Sequence, residues 1–176
     1  MTGGAAPCLA LSGGVGGAKL ALGLSRVLPP EGLVVVANTG DDFEHFGLLI
    51  CPDIDTVTYT LAGVSNTETG WGRAGESWNA MAALAALGGE TWFRLGDRDL
   101  ATHIARTARL RGGERLTDIC RALQHSLGVA ATILPMSDDH VRTEVHVAEG
   151  WIDFQDYFVA RHQEPEVRDI RFRGVE

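Results

Sequence analysis

The sequence predicts an α/β domain, a Rossmann-like three-layer fold in which helices cover both faces of a parallel sheet and a small β-hairpin is added. The first observation is an apolar run at residues 8–11 that ends in a glycine-rich turn. The second is a helical repeat of apolar residues over residues 18–28, which two prolines end. The third is an apolar run of strand length at residues 33–37, which completes a β-α-β unit with a right-handed crossover.

The rest of the chain continues this alternation. We expect helices at residues 57–62, 77–87, 100–110, 117–127 and 155–161. We expect strands at residues 91–95, 131–135 and 167–172, and a hairpin that joins residues 142–148 to 151–154. Neither a repeat nor a low-complexity linker separates these elements, so residues 1–176 are expected to form a single α/β domain. No crossover helix follows the last strand, which predicts a domain truncated at its C-terminus.

Composition limits the classes of protein to which this chain can belong. Apolar residues make up 45% of the 176 residues, enough for a buried core. The formal net charge of −8 argues against a nucleic-acid or membrane-surface binder, because both need basic patches. Three widely spaced cysteines without a C-x-x-C pair predict neither a disulfide framework nor a zinc site, and they favour the cytoplasm. No apolar run approaches the roughly twenty residues of a membrane span.

The glycine-rich turn after the first apolar run is a candidate phosphate site. Backbone N–H groups and the start of the following helix can cradle a phosphate where no side chain blocks its approach. The alternative is a turn whose glycines serve only close packing. The turn is not a standard dinucleotide fingerprint, since Lys19 stands at the third glycine position and Asn38 replaces the ribose-binding acid. The candidate phosphate-binding residues are Gly13, Gly14, Gly16, Gly17 and Lys19.

Two pairs of aspartates follow the second predicted strand. Asp41 and Asp42 come directly after Asn38-Thr39-Gly40, and Asp53 and Asp55 come after a mostly apolar segment. Bringing four carboxylates together is unfavourable unless a positive charge lies among them. A divalent cation that bridges phosphates would supply that charge. The alternative is a solvated acidic loop.

The segment Gly96-Asp97-Arg98-Asp99 is the third candidate feature. It is expected at the carboxyl end of the strand at residues 91–95, where open α/β sheets place their ligands. Arg98 can bind a phosphate or a ring carbonyl, or it can be held in an ion pair by its acidic neighbours. Asp99 can also serve only to cap the following helix.

Two further side chains have open interpretations. Trp71 lies in a glycine-rich segment and can either stack on a planar ligand or pack onto the core. His103 lies one helical turn beyond Asp99, and a lone histidine on a helix is more often a surface or core residue than a functional one.

Six stretches, in this order, resemble one known family. They are Leu11-Ser12-Gly13-Gly14-Val15-Gly16-Gly17-Ala18-Lys19, Asn38-Thr39-Gly40-Asp41-Asp42, Pro52-Asp53-Ile54-Asp55-Thr56-Val57, Leu95-Gly96-Asp97-Arg98-Asp99, Ile133-Leu134-Pro135-Met136-Ser137-Asp138-Asp139 and Phe154-Gln155-Asp156-Tyr157-Phe158. The chain is similar to the 2-phospho-L-lactate transferase family of coenzyme F420 biosynthesis, which acts as phosphoenolpyruvate transferase in bacteria. The likeness runs along nearly the whole chain.

The resemblance implies a reaction and a cofactor. Members of the family transfer a phospho-lactyl group, or a phosphoenolpyruvyl group in bacteria, from a guanosine-diphospho conjugate to the deazaflavin FO. The reaction releases GMP and requires Mg²⁺. Such a protein binds small molecules rather than nucleic acid or a membrane, and we expect it to be a cytoplasmic homodimer.

The resemblance also implies roles for individual residues. The glycine-rich turn would hold the nucleotide diphosphate, and Asp42 and Asp53, with Asp41 as a further candidate, would hold the magnesium ion. Asp42 and Asp55 are the candidate catalytic carboxylates, and the residues alone do not decide which of them removes a proton. The set that contacts FO, or supports those contacts, would be Asp55, Arg98, Asp97 and Asp99.

Family members continue beyond the point that matches the end of this chain, in a part that includes a serine-asparagine-proline segment. Residues 1–176 are therefore expected to be the N-terminal part of a longer transferase, with an incomplete nucleotide site. The alternative function is a nucleotide-sugar-binding regulatory protein of the gluconeogenesis-factor type, which has a similar glycine-rich turn. Pro52-Asp53-Ile54-Asp55 together with Gly96-Asp97-Arg98-Asp99 favours the transferase.

Overall fold

The computed structural model describes residues 6–175 as three small sheets and five α-helices. The helices are α1 (Gly14–Ser25), α2 (Pro52–Leu61), α3 (Asn79–Ala86), α4 (Asp97–Arg111) and α5 (Leu116–Ser126). The strands are β1 (Cys8–Ser12), β2 (Leu33–Ala37), β3 (Phe43–His45), β4 (Leu48–Ile50), β5 (Thr132–Pro135), β6 (Arg142–Val147), β7 (Gly150–Asp153) and β8 (Asp169–Arg173). Short 3-10 and π-helical turns lie at Pro30–Gly32 and Asp156–Ala160. Within the described residues, no helix combines the length and the apolar character needed to cross a membrane.

The central sheet is parallel, which confirms the α/β class that the sequence predicts. β2 lies between β1 and β5, and Ala10, Val35 and Ile133 lie side by side on one face. That face packs against α1, α2 and α5. The buried residues of this core are small or branched and include Ala10, Ala18, Ala21, Leu33, Val35, Ala37, Ile54, Val57, Cys120 and Ile133. The unit β1-α1-β2 is therefore the β-α-β unit expected from the sequence.

The opposite face of the parallel sheet is open in residues 6–175. Leu9 is 63% exposed and Leu11 is 76% exposed, and Val34, Val36 and Leu134 beside them are only half-buried. The layering differs from the prediction, which placed helices on both faces. Helices α1 and α2 pack against each other on one side of the sheet, and α5 covers β5 on that same side. The described part of the chain therefore has two layers around its central sheet.

The outer edge of β5 is closed by a side chain. Gln124, from α5, donates from Nε2 to the Ile133 carbonyl oxygen at 2.7 Å, and its Oε1 accepts from the Ile133 N–H at 3.0 Å. A primary amide offers a donor and an acceptor side by side, as the backbone of a strand does. The amide of Gln124 therefore takes the place of a neighbouring strand at this edge.

A second, smaller core lies between α3 and an antiparallel hairpin formed by β3 and β4, which the sequence does not predict. Phe43 packs edge-to-face on Phe93 at 4.9 Å, and Met81 and Leu95 complete this core. The strand predicted at residues 91–95 is wrong, because that segment is irregular. Its aromatic side chains, Trp92 and Phe93, are half-buried against the hairpin without backbone pairing.

The hairpin predicted near the C-terminus is confirmed as β6 and β7. β8, the strand predicted at residues 167–172, pairs antiparallel with the other edge of β6 rather than joining the parallel sheet. All five of its residues are exposed. Ion pairs from Arg171 and Arg173 to Glu144 hold it against β6. This last strand therefore belongs to a separate small sheet.

Candidate active site

The first group of candidate residues lies where β1 and β2 end. We call it the strand-end site, and it consists of Gly13, Gly14, Asn38, Asp41, Asp42 and Asp53. Helix α1 begins at Gly14 rather than at residue 18, so most of the glycine-rich turn forms the first turn of the helix. Gly14 has a φ of +60°, a conformation that favours glycine. The N-terminal N–H groups of α1 therefore lie at the strand ends, as phosphate binding would require.

Asp53 joins this helix terminus to the loop after β2. Helix α2 begins at Pro52 rather than at residue 57, so Asp53 lies in its first turn and not in a loop. Its Oδ1 accepts a hydrogen bond from the Gly14 N–H at 2.6 Å, and its Oδ2 accepts one from Asn38 Nδ2 at 2.9 Å. A phosphate at the N-terminus of α1 would lie beside this negative charge, which a cation between them would offset.

Asp42 is buried in the strand-end site with little compensation. It is 8% exposed, and its Oδ1 has no hydrogen-bond partner among residues 6–175. Burial raises the pKa of Asp42 to about 8, and the charges of Asp55 and Asp53 add to the rise, whereas a hydrogen bond with the Cys51 thiol and the charge of Arg106 oppose it. Burial and the charge of Asp53 also raise the pKa of Asp41. The hydroxyl groups of Ser12 and Thr39, at the ends of the same strands, are likewise buried without a partner in the described part of the chain.

The remaining residues of the predicted phosphate site have different surroundings. A Cβ atom on Gly17 would lie 2.9 Å from Ser12 Cα, so Gly17 allows α1 to approach β1 closely. A Cβ atom on Gly16 would meet nothing within 4 Å. Lys19 is exposed on the second turn of α1. Close packing therefore explains Gly17, whereas Gly16 and Lys19 stay accessible to a ligand.

The second group lies between α2 and α4. We call it the acidic cleft, and it consists of Asp55, Tyr59, Asp99 and His103. Asp55 is 7% exposed and forms a bidentate ion pair with the fully buried Arg106. In this pair, Arg106 Nη1 lies 3.1 Å from Asp55 Oδ2, and Arg106 Nη2 donates to Asp55 Oδ1. Burial opposes the charge of Arg106, but the Asp55 carboxylate holds the pKa of Arg106 well above its usual range. The charge of Asp55 is therefore compensated within the protein.

Asp99 is the second carboxylate of the acidic cleft. Tyr59 Oη donates to Asp99 Oδ1 at 2.7 Å, and His103 Nε2 lies 3.3 Å from the same oxygen. His103 Nδ1 lies 3.3 Å from Arg106 Nη1 and 3.6 Å from Asp55 Oδ2. Burial alone would raise the pKa of Asp99, but its contacts with His103 and Tyr59 hold it below its usual value.

A small cavity opens onto the acidic cleft. It has a volume of about 60 Å³ and is lined by residues of α2 and α4 and by the segments around Trp71 and Phe93. Asp55, Asp99 and His103 belong to its lining, so both carboxylates can accept hydrogen bonds from a ligand. Trp71 is 46% exposed and, with Phe93, adds flat apolar surface. The lining therefore combines hydrogen-bond acceptors with aromatic rings.

Asp55, Asp99 and His103 also form an acidic triad with metal-ligand spacing. Their ligand atoms lie within 4.8 Å of one another. Arg106, however, is already paired with Asp55. A metal ion added to the triad would lie near the guanidinium charge, and the two positive charges would repel each other.

Asp97 and Arg98 lie apart from the lining of this cavity. The segment that contains them opens α4 directly, because no strand precedes it. Asp97 accepts hydrogen bonds from Ser77 Oγ at 2.7 Å and from the Ala80 N–H at 3.0 Å, and these bonds lower its pKa to about 2. Arg98 is exposed, and its Nη1 donates to the Ala74 carbonyl oxygen at 3.2 Å. Asp97 thus caps α3, and Arg98 holds the loop before that helix.

Sequence reasoning misses Arg106 and Tyr59 and gives His103 little weight. Asp99, His103 and Arg106 are spaced i, i+4 and i+7, so they share one face of α4. Three polar residues at helical spacing on a helix that must also bury one face are a signal for a buried polar network. The partner Asp55 gives no such signal, because it lies 51 residues from Arg106 along the chain.

Comparison with known proteins points to one family. A family model described as 2-phospho-L-lactate transferase CofD matches residues 8–176. A phosphoenolpyruvate transferase of Streptomyces avermitilis is 47% identical over 154 residues, which cover 85% of this chain and 48% of the relative. A 2-phospho-L-lactate transferase of Methanosarcina mazei is 43% identical over 164 residues, which cover 93% of this chain and 54% of the relative.

A solved structure is similar in fold. A member of the UPF0052 family from Bacillus halodurans superposes with a TM-score of 0.55 over 97% of this chain and 52% of its own, at 12% sequence identity. That likeness concerns the fold alone. The chain spans about half the length of the curated relatives that it matches. Because the family model matches nearly all of it, the chain belongs to the 2-phospho-L-lactate transferase CofD family.

Proposed function

We propose that this chain binds Mg²⁺ and the deazaflavin FO and takes part in transferring a phospho-lactyl or phosphoenolpyruvyl group to FO. The donor would be a guanosine-diphospho conjugate, and GMP would be released. The observation that carries the proposal is a strand-end site with uncompensated oxygens next to a cleft lined by hydrogen-bonding carboxylates. Family membership supports the reaction class. Such a reaction depends above all on charge neutralisation and in-line positioning.

The strand-end site fits Mg²⁺. Its side-chain acceptors are oxygens, which hard divalent cations prefer as ligands. Asp42 has a buried oxygen without a partner among the described residues, and burial, together with neighbouring carboxylates, raises the pKa values of Asp41 and Asp42. Asp42 and Asp53 would hold the ion. When bound, Mg²⁺ would neutralise phosphate oxygens of the donor.

The acidic triad of the cleft suits Mg²⁺ less well. It includes an imidazole nitrogen, and Arg106 already neutralises one of its two carboxylates. We therefore assign the magnesium ion to the strand-end site and leave the carboxylates of the cleft to the acceptor.

The N-terminus of α1 would hold the diphosphate of the donor. Its first-turn backbone lies at the strand ends, and Asp53 contacts the Gly14 N–H there. A diphosphate, a cation and Asp53 would thus lie together at the N-terminus of α1. Gly17 would act indirectly, by letting α1 approach β1. The residues assigned to the diphosphate are Gly13, Gly14, Gly16 and Lys19.

The acidic cleft would bind FO. Asp55 and Asp99 line its cavity and can accept hydrogen bonds from the ribityl hydroxyl groups, while Trp71 and Phe93 offer surfaces on which a planar ring can stack. Of the two candidate catalytic carboxylates, Asp55 would orient the acceptor hydroxyl and Asp42 would serve as a ligand of the ion.

Asp97 and Arg98 would support the FO site from outside the cavity. Asp97 ties the start of α3 to the start of α4, which carries Asp99. Arg98 fixes the loop that contains Ala74, three residues after Trp71. Their contribution would be to the shape of the cleft rather than to direct contact with the ring.

The test is a binding and turnover experiment on the 176-residue chain. Absorbance of the deazaflavin reports FO binding, and chromatography reports product with lactyl, enolpyruvyl and glyceryl donors in turn, each with Mg²⁺ or with a chelator. We expect FO binding and a Mg²⁺-dependent affinity for guanine nucleotide. Asp53→Asn should remove the Mg²⁺ dependence, and Asp118→Asn, at a surface ion pair on α5, is the matched control. A chain that binds neither FO nor guanine nucleotide with Mg²⁺ present would contradict the proposal.

A regulatory nucleotide-sugar binder is the alternative function. No specific contact of the described residues favours it over the transferase. The same experiment separates the two, because a regulatory protein of that kind should bind a guanine or sugar nucleotide without any affinity for FO.

We further propose that the protein is a cytoplasmic homodimer. Its cysteines are free thiols, as a reducing compartment would keep them. The open face of the parallel sheet offers an apolar surface for a second copy. Light scattering coupled to size-exclusion chromatography would measure the mass, and a folded monomer near 18.8 kDa at micromolar concentration would remove the dimer from the proposal.

A further inference from the structure

Arg106 is the largest fully buried side chain among the described residues. It lies behind the acidic cleft and does not line the cavity itself. Its Nη1 is 3.1 Å from Asp55 Oδ2, 3.3 Å from His103 Nδ1 and 3.4 Å from the Leu49 carbonyl oxygen. A single guanidinium group thus contacts two of the side chains that form the lining of the cleft.

The same guanidinium group favours one tautomer of His103. An arginine side chain donates hydrogen bonds and cannot accept them. When His103 Nδ1 accepts from Arg106 Nη1, which lies 3.3 Å away, the ring proton lies on Nε2. That nitrogen faces Asp99 Oδ1 at 3.3 Å, and the same oxygen accepts from the Tyr59 hydroxyl. The position of Asp99 thus depends on Arg106 through His103.

We propose that Arg106 is the positioning residue of the acceptor site. By binding Asp55 through two nitrogens and holding His103 as the Nε2–H tautomer, it sets the direction in which Asp55 and Asp99 offer their oxygens to the hydroxyl groups of a polyol. The inference rests on the proposed function, because it assigns the cleft to FO. Lysine cannot replace arginine here, since a single ammonium nitrogen cannot reproduce the planar fork.

Arg106→Lys tests the proposal, because it keeps the positive charge and removes the planar group that binds Asp55 through two nitrogens. The matched control is Arg109→Lys, one turn further along α4, where the arginine pairs with Glu114 at the surface. We expect Arg106→Lys to weaken FO binding about tenfold while GMP binding changes less than about twofold, and Arg109→Lys to change neither. Equal losses for FO and GMP, or no loss for FO, would overturn the positioning role.

A second measurement does not depend on FO, and its first part is made on the unmodified chain. The side-chain ¹⁵N shifts of His103 in the unmodified chain report its tautomer, and we expect the Nε2–H form. In a folded Arg106→Lys variant the two neutral tautomers should mix. A protonated ring or the Nδ1–H form in the unmodified chain would overturn the inference. If the chain fails to bind FO but His103 is the Nε2–H tautomer, the proposed function fails while the positioning of Asp99 by Arg106 stands.

Discussion

Asp53 and Asp55 stand two residues apart in the first turn of α2, yet they belong to different sites. Side chains at positions i and i+2 of a helix do not face each other. Asp53 therefore bonds to the N-terminus of α1, whereas Asp55 bonds to Arg106 on α4. One helical turn divides the acidic segment between the strand-end site and the acidic cleft.

The two sites differ in how their negative charge is compensated. The acidic cleft contains its own cation in Arg106 and its own donors in Tyr59 and His103, and the pKa of Asp99 is held low. At the strand-end site, a hydrogen bond with the Cys51 thiol and the charge of Arg106 do not offset burial and the charges of Asp55 and Asp53, and the pKa of Asp42 rises to about 8. Compensated carboxylates suit the recognition of hydroxyl groups, whereas uncompensated ones suit an external cation. Removing a charge or a hydrogen-bond donor, or adding a cation, should therefore affect the two sites differently.

The largest effect is expected from removing the cation of the cleft. Arg106→Met leaves Asp55 buried and unpaired, which should lower the free energy of unfolding by about 3–5 kcal/mol. Denaturant unfolding near neutral pH measures the loss. The double variant Arg106→Met/Asp55→Leu removes both charges and should recover most of it. If single and double variants are equally unstable, the packing of Arg106 rather than its charge stabilises the cleft.

The opposite sign is expected at the strand-end site. The pKa of Asp42 is about 8 in the folded protein against an ordinary value of 3.8, so the folded state holds a proton that the unfolded chain releases. This contribution to stability is present at low pH and is lost as the pH rises through 8. Without divalent cations at pH 8, Asp42→Asn should therefore raise the free energy of unfolding by about 1–3 kcal/mol.

Magnesium separates the two sites further in the same unfolding experiment. Mg²⁺ should stabilise the unmodified chain at high pH by binding the native state, and it should stabilise Asp42→Asn much less. An equal gain from Mg²⁺ in both proteins would place the ion away from Asp42.

A smaller effect is expected from removing one donor of the cleft. Tyr59→Phe deletes the hydroxyl that bonds to Asp99 and keeps the ring, so stability should fall by about 0.5–1.5 kcal/mol. The response of thermal unfolding to Mg²⁺ should stay unchanged, because the strand-end site is untouched. Tyr157→Phe is the control, since the Tyr157 hydroxyl makes an exposed bond to the Gln163 carbonyl oxygen. A changed Mg²⁺ response in Tyr59→Phe alone would mean that the two sites are coupled.

The smallest effect on stability is expected on α1. Gly16 and Gly23 both have open space where a Cβ atom would lie, so Gly16→Ala and Gly23→Ala should each stabilise the helix by about 0.5–1 kcal/mol. Only Gly16 lies in the first turn, where the diphosphate is proposed to bind. Isothermal titration with a guanine nucleotide and Mg²⁺ should therefore show weaker binding for Gly16→Ala alone. Equal affinity in both variants would move the diphosphate away from Gly16.

The sequence is enough to predict the parallel core, because the apolar runs of β1 and β2 flank a helical repeat. It places the starts of α1 and α2 too late. Proline and aspartate suggest loops, but they are also common in the first turn of a helix, and the glycines that suggest a loop at residues 14–17 lie within α1. The hairpin of β3 and β4 escapes prediction because its turn is Phe46-Gly47, with φ values of 54° and 68°, and carries no Asn-Gly or Asp-Gly signal.

The candidate site is predictable in its parts but not in its arrangement. The glycines and aspartates that the sequence singles out do gather at the strand ends and beside α4. Whether Asp55 belongs with Asp53 or apart from it depends on the helical register of α2, which a loop assignment conceals. Its partner Arg106 is separated from it by 51 residues, so only the folded structure pairs them.

The amide of Gln124 has a consequence for how this sheet can grow. Because it occupies the outer edge of β5, the parallel sheet in residues 6–175 can gain a strand at its other edge only, where the new strand would pair with β1. Such a strand would lie alongside Leu9 and Leu11 and would reach the strand ends next to Gly13. Any polypeptide that extends the sheet, from the same molecule or from another, therefore arrives beside the N-terminus of α1.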